Sequence, residues 1–159
     1  MMTFDGEVTM ERRSRDELPR TSTAFSAASW GAFAAGAGCY LVGLFEAGMQ
    51  LNEKGYYLAV LLLGLFSAVS LQKAVRDAAE GIKVTGLYSG ICWFAFAASI
   101  LLLLVGLWNA TLALSEKGFY GVSFLMALFA AIAVQRNVRD AAWERRFEDS
   151  PTRVGSAES

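Results

Sequence analysis

The apolar residues of this 159-residue chain fall in four long blocks that contain no charged residue. These blocks occupy residues 24–44, 55–71, 87–114 and 118–134. A helix rises about 1.5 Å per residue, so roughly 17–25 apolar residues cross a hydrocarbon core of about 30 Å. A soluble bundle of this size has too little interior to bury four helices that are apolar on every face. The pattern therefore predicts an all-α integral membrane protein with four transmembrane helices.

One stretch of the sequence occurs twice. Residues 43–79 align with residues 106–142 without a gap at a constant offset (116 − 53 = 63), and about half of the aligned positions are identical. Such self-similarity marks a duplicated unit. Each copy contains two apolar blocks, so the unit is a two-helix hairpin. Both copies enter the membrane in the same direction, which predicts two parallel-repeat two-helix hairpins.

The duplication divides the chain into two repeats, a short linker and two tails. The tails are polar and charged, so we expect them to be disordered. The fourth helix has no stop signal before Ser150-Pro151, so we expect it to extend beyond the membrane. The predicted segments are the tail 1–22, the first repeat 23–80, the linker 81–86, the second repeat with its extension 87–147, and the tail 148–159.

Basic residues near the ends of the apolar blocks predict the orientation. They cluster before the first block, between the second and third, and after the fourth, whereas the two hairpin loops contain only Lys54 and Lys117. This asymmetry predicts a multi-pass protein of the bacterial inner (cytoplasmic) membrane with both termini in the cytoplasm (N-in/C-in). The first block lacks a small-residue cleavage site, so we expect an uncleaved signal anchor.

Small residues dominate the first helix and let membrane helices approach closely. We expect this helix to be the most buried; the alternative is a lipid-facing helix that tolerates alanine. The third helix carries Phe94 and Phe96, which suit lipid or a subunit contact. The small residues recur at a spacing of four: Ala27, Gly31 and Ala35; Ala28, Ala32 and Gly36; and, in the second and fourth helices, Gly64 with Ala68 and Ala127 with Ala131.

Each hairpin carries the tripeptide Glu-Lys-Gly behind a residue that favours the helix N-cap. Asn52 and Ser115 are the expected caps, so helices should begin near residues 53 and 116. A carboxylate in the first turn complements the helix dipole, the lysines should reach to water, and the following aromatic pairs should lie at the membrane interface. An outward-facing cation site is the alternative for the two carboxylates. The candidate residues are Glu53, Lys54, Gly55, Glu116, Lys117 and Gly118.

A second polar motif follows the apolar part of the second and fourth helices, and it ends in Val-Arg-Asp in both copies. Within one helix each acid lies C-terminal to the base, which is the weaker order. We therefore expect pairs between the repeats, Asp77 with Arg139 and Asp140 with Arg76. Gly81 is the expected stop of the second helix. The candidate residues are Gln72, Arg76, Asp77, Gln135, Arg139 and Asp140.

Residues that carry chemistry are few. The chain has no histidine, which excludes His-based catalysis and the usual His/Cys metal sites, so we expect no enzyme activity and no cofactor. Cys39 and Cys92 lie at different depths and are expected to be packing residues rather than a disulfide. Glu46 is the one acid inside an apolar block; its position near the end of the helix indicates a solvated interfacial carboxylate.

The repeated Glu-Lys-Gly and Gln-x-x-Val-Arg-Asp motifs, at matching distances in both copies, resemble the YiaA/YiaB family of bacterial inner-membrane proteins, which is built from the YiaAB two-helix domain. The resemblance covers residues 24–143, and the second copy is the fuller match because the first has Phe45-Glu46 in place of Trp-Asn. It implies a membrane protein with two two-helix units and no assigned activity, and it supplies no catalytic or binding residues.

The sequence favours two functions over a third, which is a membrane enzyme. The first is a non-enzymatic protein that acts by helix-mediated association in the lipid bilayer, with itself as a homo-oligomer or with another membrane protein, as an envelope or stress component. The second is a small oligomeric transporter or channel, against which the apolar midplane of every helix weighs. No basic-aromatic surface points to a nucleic acid partner.

Overall fold

The computed structural model describes the backbone of residues 23–148 and the side chains of residues 23–142, and four long α-helices account for most of that backbone. Each helix is long and apolar enough to cross a membrane, which confirms the predicted all-α, four-span architecture. The disorder expected of residues 1–22 and 148–159 falls outside the described residues, except at Glu148, which is the last residue of the fourth helix. The helices are α1 Thr23–Glu46, α2 Leu51–Ala79, α3 Gly86–Asn109 and α4 Leu114–Glu148.

The end of α2 has the conformation that the sequence predicts. Gly81 has a φ of +75°, which a residue without Cβ adopts without strain. Its N–H donates to the Ala78 carbonyl at 3.2 Å, and the Ile82 N–H donates to the Asp77 carbonyl at 2.9 Å. These two bonds form a Schellman motif, which satisfies carbonyls that the helix leaves unpaired. The chain then reverses through a short linker into α3.

The helices of one repeat do not pack along each other. α1 lies chiefly against α4, α3 lies against α2, and α2 and α4 meet in the centre, so the helices form the order α1, α4, α2, α3. The contact between α1 and α2 is slight, and so is the one between α3 and α4. We call the end with the α1–α2 and α3–α4 turns the hairpin end, and the opposite end the tail end. The two repeats are therefore interleaved, with each outer helix packed on the other repeat's inner helix.

This order corrects the expectation that α1 is the most buried helix. α2 and α4 are the most buried, because each has neighbours on two sides, while α1 and α3 are outer helices. Gly64, Ala68, Ala127 and Ala131 are all buried in the centre, as their shared spacing predicts. On α1 only one residue of the two small rows is buried, and that residue is Gly36.

At Gly36 the backbones of α1 and α4 approach each other closely. A Cβ placed there would lie 2.7 Å from the backbone nitrogen of Ala127, which is itself fully buried. Gly43, two turns further along α1, lies against the rings of Phe119 and Tyr120, and its repeat counterpart Gly106 lies against the tyrosines of α2 in the same way. The glycines thus let each outer helix close onto the inner helix of the other repeat.

The largest core side chains lie in the half of the bundle near the hairpin end. Tyr40 and Phe124 are fully buried, and the Tyr40 ring meets the edge of Tyr120 at 5.5 Å. Tyr57 and Tyr120, which are repeat counterparts, stack at 6.1 Å. The Tyr40 hydroxyl donates to the Tyr57 carbonyl at 3.0 Å. The rings of Tyr57 and Tyr120, two of the aromatic residues that follow the Glu-Lys-Gly motifs, are thus buried between helices near the hairpin end.

Candidate functional site

The Glu-Lys-Gly motifs bind backbone at the hairpin end. α2 and α4 begin at Leu51 and Leu114, two residues before the predicted starts, so Asn52 and Ser115 are not the N-caps. The Glu53 carboxylate instead accepts a hydrogen bond from the N–H of Gln50 at 2.9 Å. Glu116 accepts one from Ala113 at 2.8 Å. Each carboxylate satisfies a backbone donor just before its own helix, as in a capping box.

The lysines of the same motifs bind the helix that precedes them. Lys54 donates to the carbonyl of Phe45 at 2.8 Å, and Lys117 lies 3.5 Å from the carbonyl of Trp108. A cation at these carbonyls complements the negative end of the α1 or α3 dipole. The lysines therefore fasten the turn rather than only reaching to water. Gly55 and Gly118 have open space where a Cβ would lie, so packing gives no account of them.

Two repeat-related clefts open beside these motifs. The first cleft, of about 350 Å³, lies between the end of α1 and the start of α4. The second, of about 240 Å³, lies between the end of α3 and the start of α2. Glu46 in the first cleft corresponds to Asn109 in the second, so the first has one more carboxylate. The first is lined by Gly43, Glu46, Ala47, Leu112, Ser115, Glu116, Phe119 and Tyr120.

The polar motif at the tail end forms ion pairs that differ from the predicted ones. Arg76 pairs with the adjacent Asp77 at 2.9 Å and with Glu80 at 3.5 Å. Arg139 pairs with Glu80 at 3.2 Å and lies 3.9 Å from Asp140. Glu80 therefore makes the link between the repeats that we had assigned to Asp77.

Charge reversal tests this link. Glu80→Lys should lower the free energy of unfolding by about 0.2–1 kcal/mol, since the pair is half exposed and solvent screens it. Adding Arg139→Glu should restore part of that loss, as measured by denaturant unfolding in detergent. Asp77→Lys with Arg139→Glu is the matched control and should show no recovery. Recovery in that control alone would show that Arg139 pairs with Asp77, as the sequence predicts, and not with Glu80.

Three amide side chains lie on the same two helices as these arginines, near the tail end. Asn137 is 3% exposed, and its side-chain nitrogen donates to the Ser29 hydroxyl at 3.0 Å, which joins α4 to α1. Its oxygen has no partner among the described residues, and neither have the side-chain oxygens of Gln72 and Gln135. Sequence reasoning missed Asn137 because its counterpart in the first repeat is Ala74. A comparison of the two copies could have identified Asn137, because it is polar at a position where the other copy is apolar.

The remaining candidates carry little chemistry. Cys39 and Cys92 are free thiols, and Cys39 is exposed, so it does not pack inside the bundle of one chain. Cys92 is buried, as expected. Glu46 is exposed at the last residue of α1, consistent with a solvated carboxylate. Across residues 23–142 no cluster of three or more His, Cys, Asp or Glu side chains is placed to hold a metal ion.

These features define a multi-pass membrane protein with an internal duplication and repeated polar motifs at both ends of its bundle. The sequence model of the yiaA/B two helix domain matches residues 25–77 and again residues 88–140. The two matches together span most of the chain, and the chain belongs to the YiaAB family. The resemblance expected from the motifs is thereby confirmed.

Three curated relatives agree with this assignment. Inner membrane protein YiaA of Escherichia coli (strain K12) is 62% identical over 126 residues, which cover 79% of this chain and 87% of that protein. Inner membrane protein YiaB of the same organism is 30% identical over 105 residues, covering 66% and 89%. The uncharacterized membrane protein YubF of Bacillus subtilis (strain 168) is 42% identical over 66 residues, covering 41% and 76%. No solved structure matches the chain.

Proposed function

We propose that this inner membrane protein is not an enzyme and acts by helix-mediated association, first with a second copy of itself. The observation that supports this is a row of small side chains on the outer face of α1. Ala27, Gly31 and Ala35 are exposed, and exposed Cys39 continues the row at the same spacing. A Cβ at Gly31 would meet nothing within 4 Å. Membrane helices associate through such surfaces because their backbones can approach closely.

The equivalent row on α3 is small at only two of its four positions, Gly90 and Ala98, although the two helices are repeat counterparts. The positions equivalent to Gly31 and Cys39 are Phe94 and Leu102, which are large and exposed. Duplication alone therefore does not account for small residues on α1. A large apolar surface suits lipid chains, whereas a small one suits a second helix. We infer that α1 makes the association and α3 faces lipid.

The N-in/C-in orientation belongs to this proposal and is supported by the basic residues of the tail end. A transporter or channel, the alternative, has less support. Buried residues halfway along the bundle are mostly apolar, such as Leu61, Ala68 and Leu128. The hydroxyls of Ser67 and Ser99 donate to carbonyls of their own helices. No contact among the described residues favours a role in the envelope or in stress over any other role for the association.

Oxidative cross-linking in native membranes tests the association. In a Cys92→Ser background, Cys39 should form a disulfide-linked dimer on a non-reducing gel, because two α1 rows in contact bring these thiols together. Gly31→Leu should abolish the dimer without unfolding the monomer, and Phe94→Ala on the equivalent face of α3 should leave it unchanged. A chain that stays monomeric by light scattering in mild detergent and forms no dimer would contradict the proposal.

A further inference from the structure

The buried polar atoms that lack a hydrogen-bond partner are confined to the tail half of the two inner helices. Among residues 23–142 they are the side-chain oxygens of Gln72, Gln135 and Asn137 and the Nε atoms of Arg76 and Arg139. Four of the five form repeat-equivalent pairs, Gln72 with Gln135 and Arg76 with Arg139. The same groups are unmet in both copies, so they belong to the repeated unit.

These atoms lie behind the ion pairs of the tail end. Each glutamine is one turn from the arginine of its own helix and shares a face with it. The two guanidinium groups meet on Oε1 of Glu80, at 3.5 Å from Arg76 Nε and 3.2 Å from Arg139 Nη1. The first contact is an ion pair without a hydrogen bond, so the Arg76 Nε–H still lacks an acceptor. Glu80 is half exposed, so the cluster begins at the surface and continues inward to Gln72, about 12 Å along the helix.

Asn137 adds an unmet acceptor on the other side of α4. It lies two residues from Gln135 and Arg139 and therefore faces away from them, toward α1, where its nitrogen donates to the Ser29 hydroxyl. The residue is 3% exposed, and its oxygen is unpartnered. Five such groups in a dry interface would cost a large part of the stability of a domain, so native proteins supply them with partners.

The chemistry of the unmet groups selects water as the partner. Two are N–H donors and three are amide oxygens, and one water molecule can accept from a donor and donate to an oxygen. An anion would leave the oxygens unmet, and the acids Asp77, Glu80 and Asp140 already outnumber the two arginines. A metal ion would suit the oxygens, but the guanidinium groups beside them repel it.

We propose that water enters the bundle at the tail end, on both sides of α4, and forms a vestibule between the repeats that reaches Gln72 and Gln135. One turn further in, the inner helices present Ala68 and Ala131, which are buried, and the Phe124 ring beyond them is fully buried. The hairpin half of the bundle is therefore dry. The vestibule opens at one end and is not a path across the membrane.

Cysteine labelling tests the vestibule. Q72C and Q135C are placed singly in a chain whose native cysteines are replaced by serine, and they are labelled in nanodiscs with a charged methanethiosulfonate that reacts in water. We expect both to react about tenfold or more faster than L61C and L128C in the apolar core, since a dry interface excludes a charged reagent. Equally slow labelling at all four positions would overturn the proposal.

Two further positions control for exposure to lipid. Phe66 and Phe129 are repeat counterparts that are exposed on the same two helices, where a bilayer provides no water. F66C and F129C should therefore react as slowly as L61C. Labelling of these controls as fast as Q72C would overturn the proposal, because reactivity would then follow exposure on the outside of the bundle.

The melting temperature separates hydrated groups from dry ones. Replacing both Gln72 and Gln135 with leucine removes hydrogen bonds to water if the vestibule is wet, whereas it removes a desolvation cost if the interface is dry. We expect a melting temperature equal to that of the native chain or below it. A higher melting temperature would overturn the proposal.

The native chain gives a readout that needs no substitution. In solid-state NMR of the protein in bilayers, magnetisation from water should reach the Asn137 side-chain amide as quickly as that of exposed Asn52. Transfer as slow as that to the backbone of buried Leu61 would overturn the proposal, whether or not a cysteine variant folds. None of these readouts depends on the oligomeric state, so the association proposal stands or falls separately.

Discussion

Replacing Gly36 with leucine should prevent α1 from packing on α4. Even a Cβ at this position would lie 2.7 Å from the Ala127 nitrogen, and backbone cannot yield as a side chain can. Overpacking of a tight contact costs about 1–3 kcal/mol, and Gly36→Leu adds three more carbons at this contact. We expect little folded, monodisperse protein after purification in mild detergent, and Gly36→Ala should give an intermediate melting temperature.

The matched control is Gly38→Ala on the same helix. A Cβ at Gly38 would meet nothing within 4 Å, so its unfolding free energy should change by no more than about 0.5 kcal/mol. Both substitutions alter the helix propensity of one residue in the same way. Equal melting temperatures for Gly36→Ala and Gly38→Ala would show that α1 does not approach α4 at this point.

Phe124→Ala should cost about 3–5 kcal/mol, because the side chain is fully buried in the centre of the bundle. Its ring lies over Gly64 of α2, where a Cβ would come within 2.7 Å of the ring carbon Cζ. The repeat counterparts of this pair are Leu61 and Ala127, a smaller side chain and a larger one. In one pair a large ring faces a glycine, and in the other a smaller leucine faces an alanine, so the side-chain volume is divided differently between the two positions.

A double-mutant cycle measures that exchange. Gly64→Ala and Phe124→Leu should each destabilise the protein, and the double variant should be more stable than their sum predicts, by about 0.5–3 kcal/mol. The double variant carries at these sites the residue types that the other repeat already combines. Strict additivity of the two changes in thermal unfolding would mean that Gly64 and Phe124 do not touch.

Part of the fold follows from the sequence because it depends on local chemistry. The four charge-free blocks predict the four spans, since a bilayer selects helix length and polarity directly. Gly81 predicts the end of α2, because its left-handed conformation favours a residue without Cβ. The recurring Glu-Lys-Gly motif predicts an interaction at each turn. It does not predict which backbone group each side chain binds, because one residue of shift at a helix start changes the donor.

The pairing of helices could not be predicted in the same way. The sequence similarity between the two copies is equally compatible with α1 packing on α2 of its own repeat and with α1 packing on α4 of the other repeat. The choice depends on complementary surfaces, such as Gly36 against Ala127 and Gly43 against Tyr120, which lie far apart in sequence. Glu80 was missed as the tail-end link for a related reason. It lies outside the repeated Val-Arg-Asp motif, at the C-cap of α2.

Interleaving has a consequence for the single repeat. α1 and α2 alone would leave uncovered the faces that α4 and α3 bury, including Gly36 on α1 and Gly64 on α2. Two separate copies of such a unit could cover these faces if each outer helix packed on the inner helix of the other copy. The present chain has the arrangement of such a dimer with its two subunits joined. The symmetric approach of Gly43 to Tyr120 and of Gly106 to Tyr57 has this form.

Cysteine cross-linking between repeat-equivalent positions tests the crossed packing most directly. Ser29 of α1 bonds Asn137 of α4, and the equivalent positions in the other pair are Cys92 of α3 and Ala74 of α2, all buried. All four chains carry Cys39→Ser. Two of them test contacts between repeats: one joins S29C of α1 to N137C of α4, and the other joins A74C of α2 to native Cys92 of α3. S29C with A74C in a C92S chain, and N137C with native Cys92, test contacts within a repeat.

A protease site in the linker between α2 and α3 gives the readout after oxidation in membranes. Cross-links between repeats hold the two halves together on a non-reducing gel after cleavage, whereas cross-links within a repeat let them separate. We expect the halves to stay joined for S29C with N137C and for A74C with Cys92, and to separate for the other two pairs. Efficient cross-linking within the repeats, with separated halves in all four chains, would contradict the interleaved bundle.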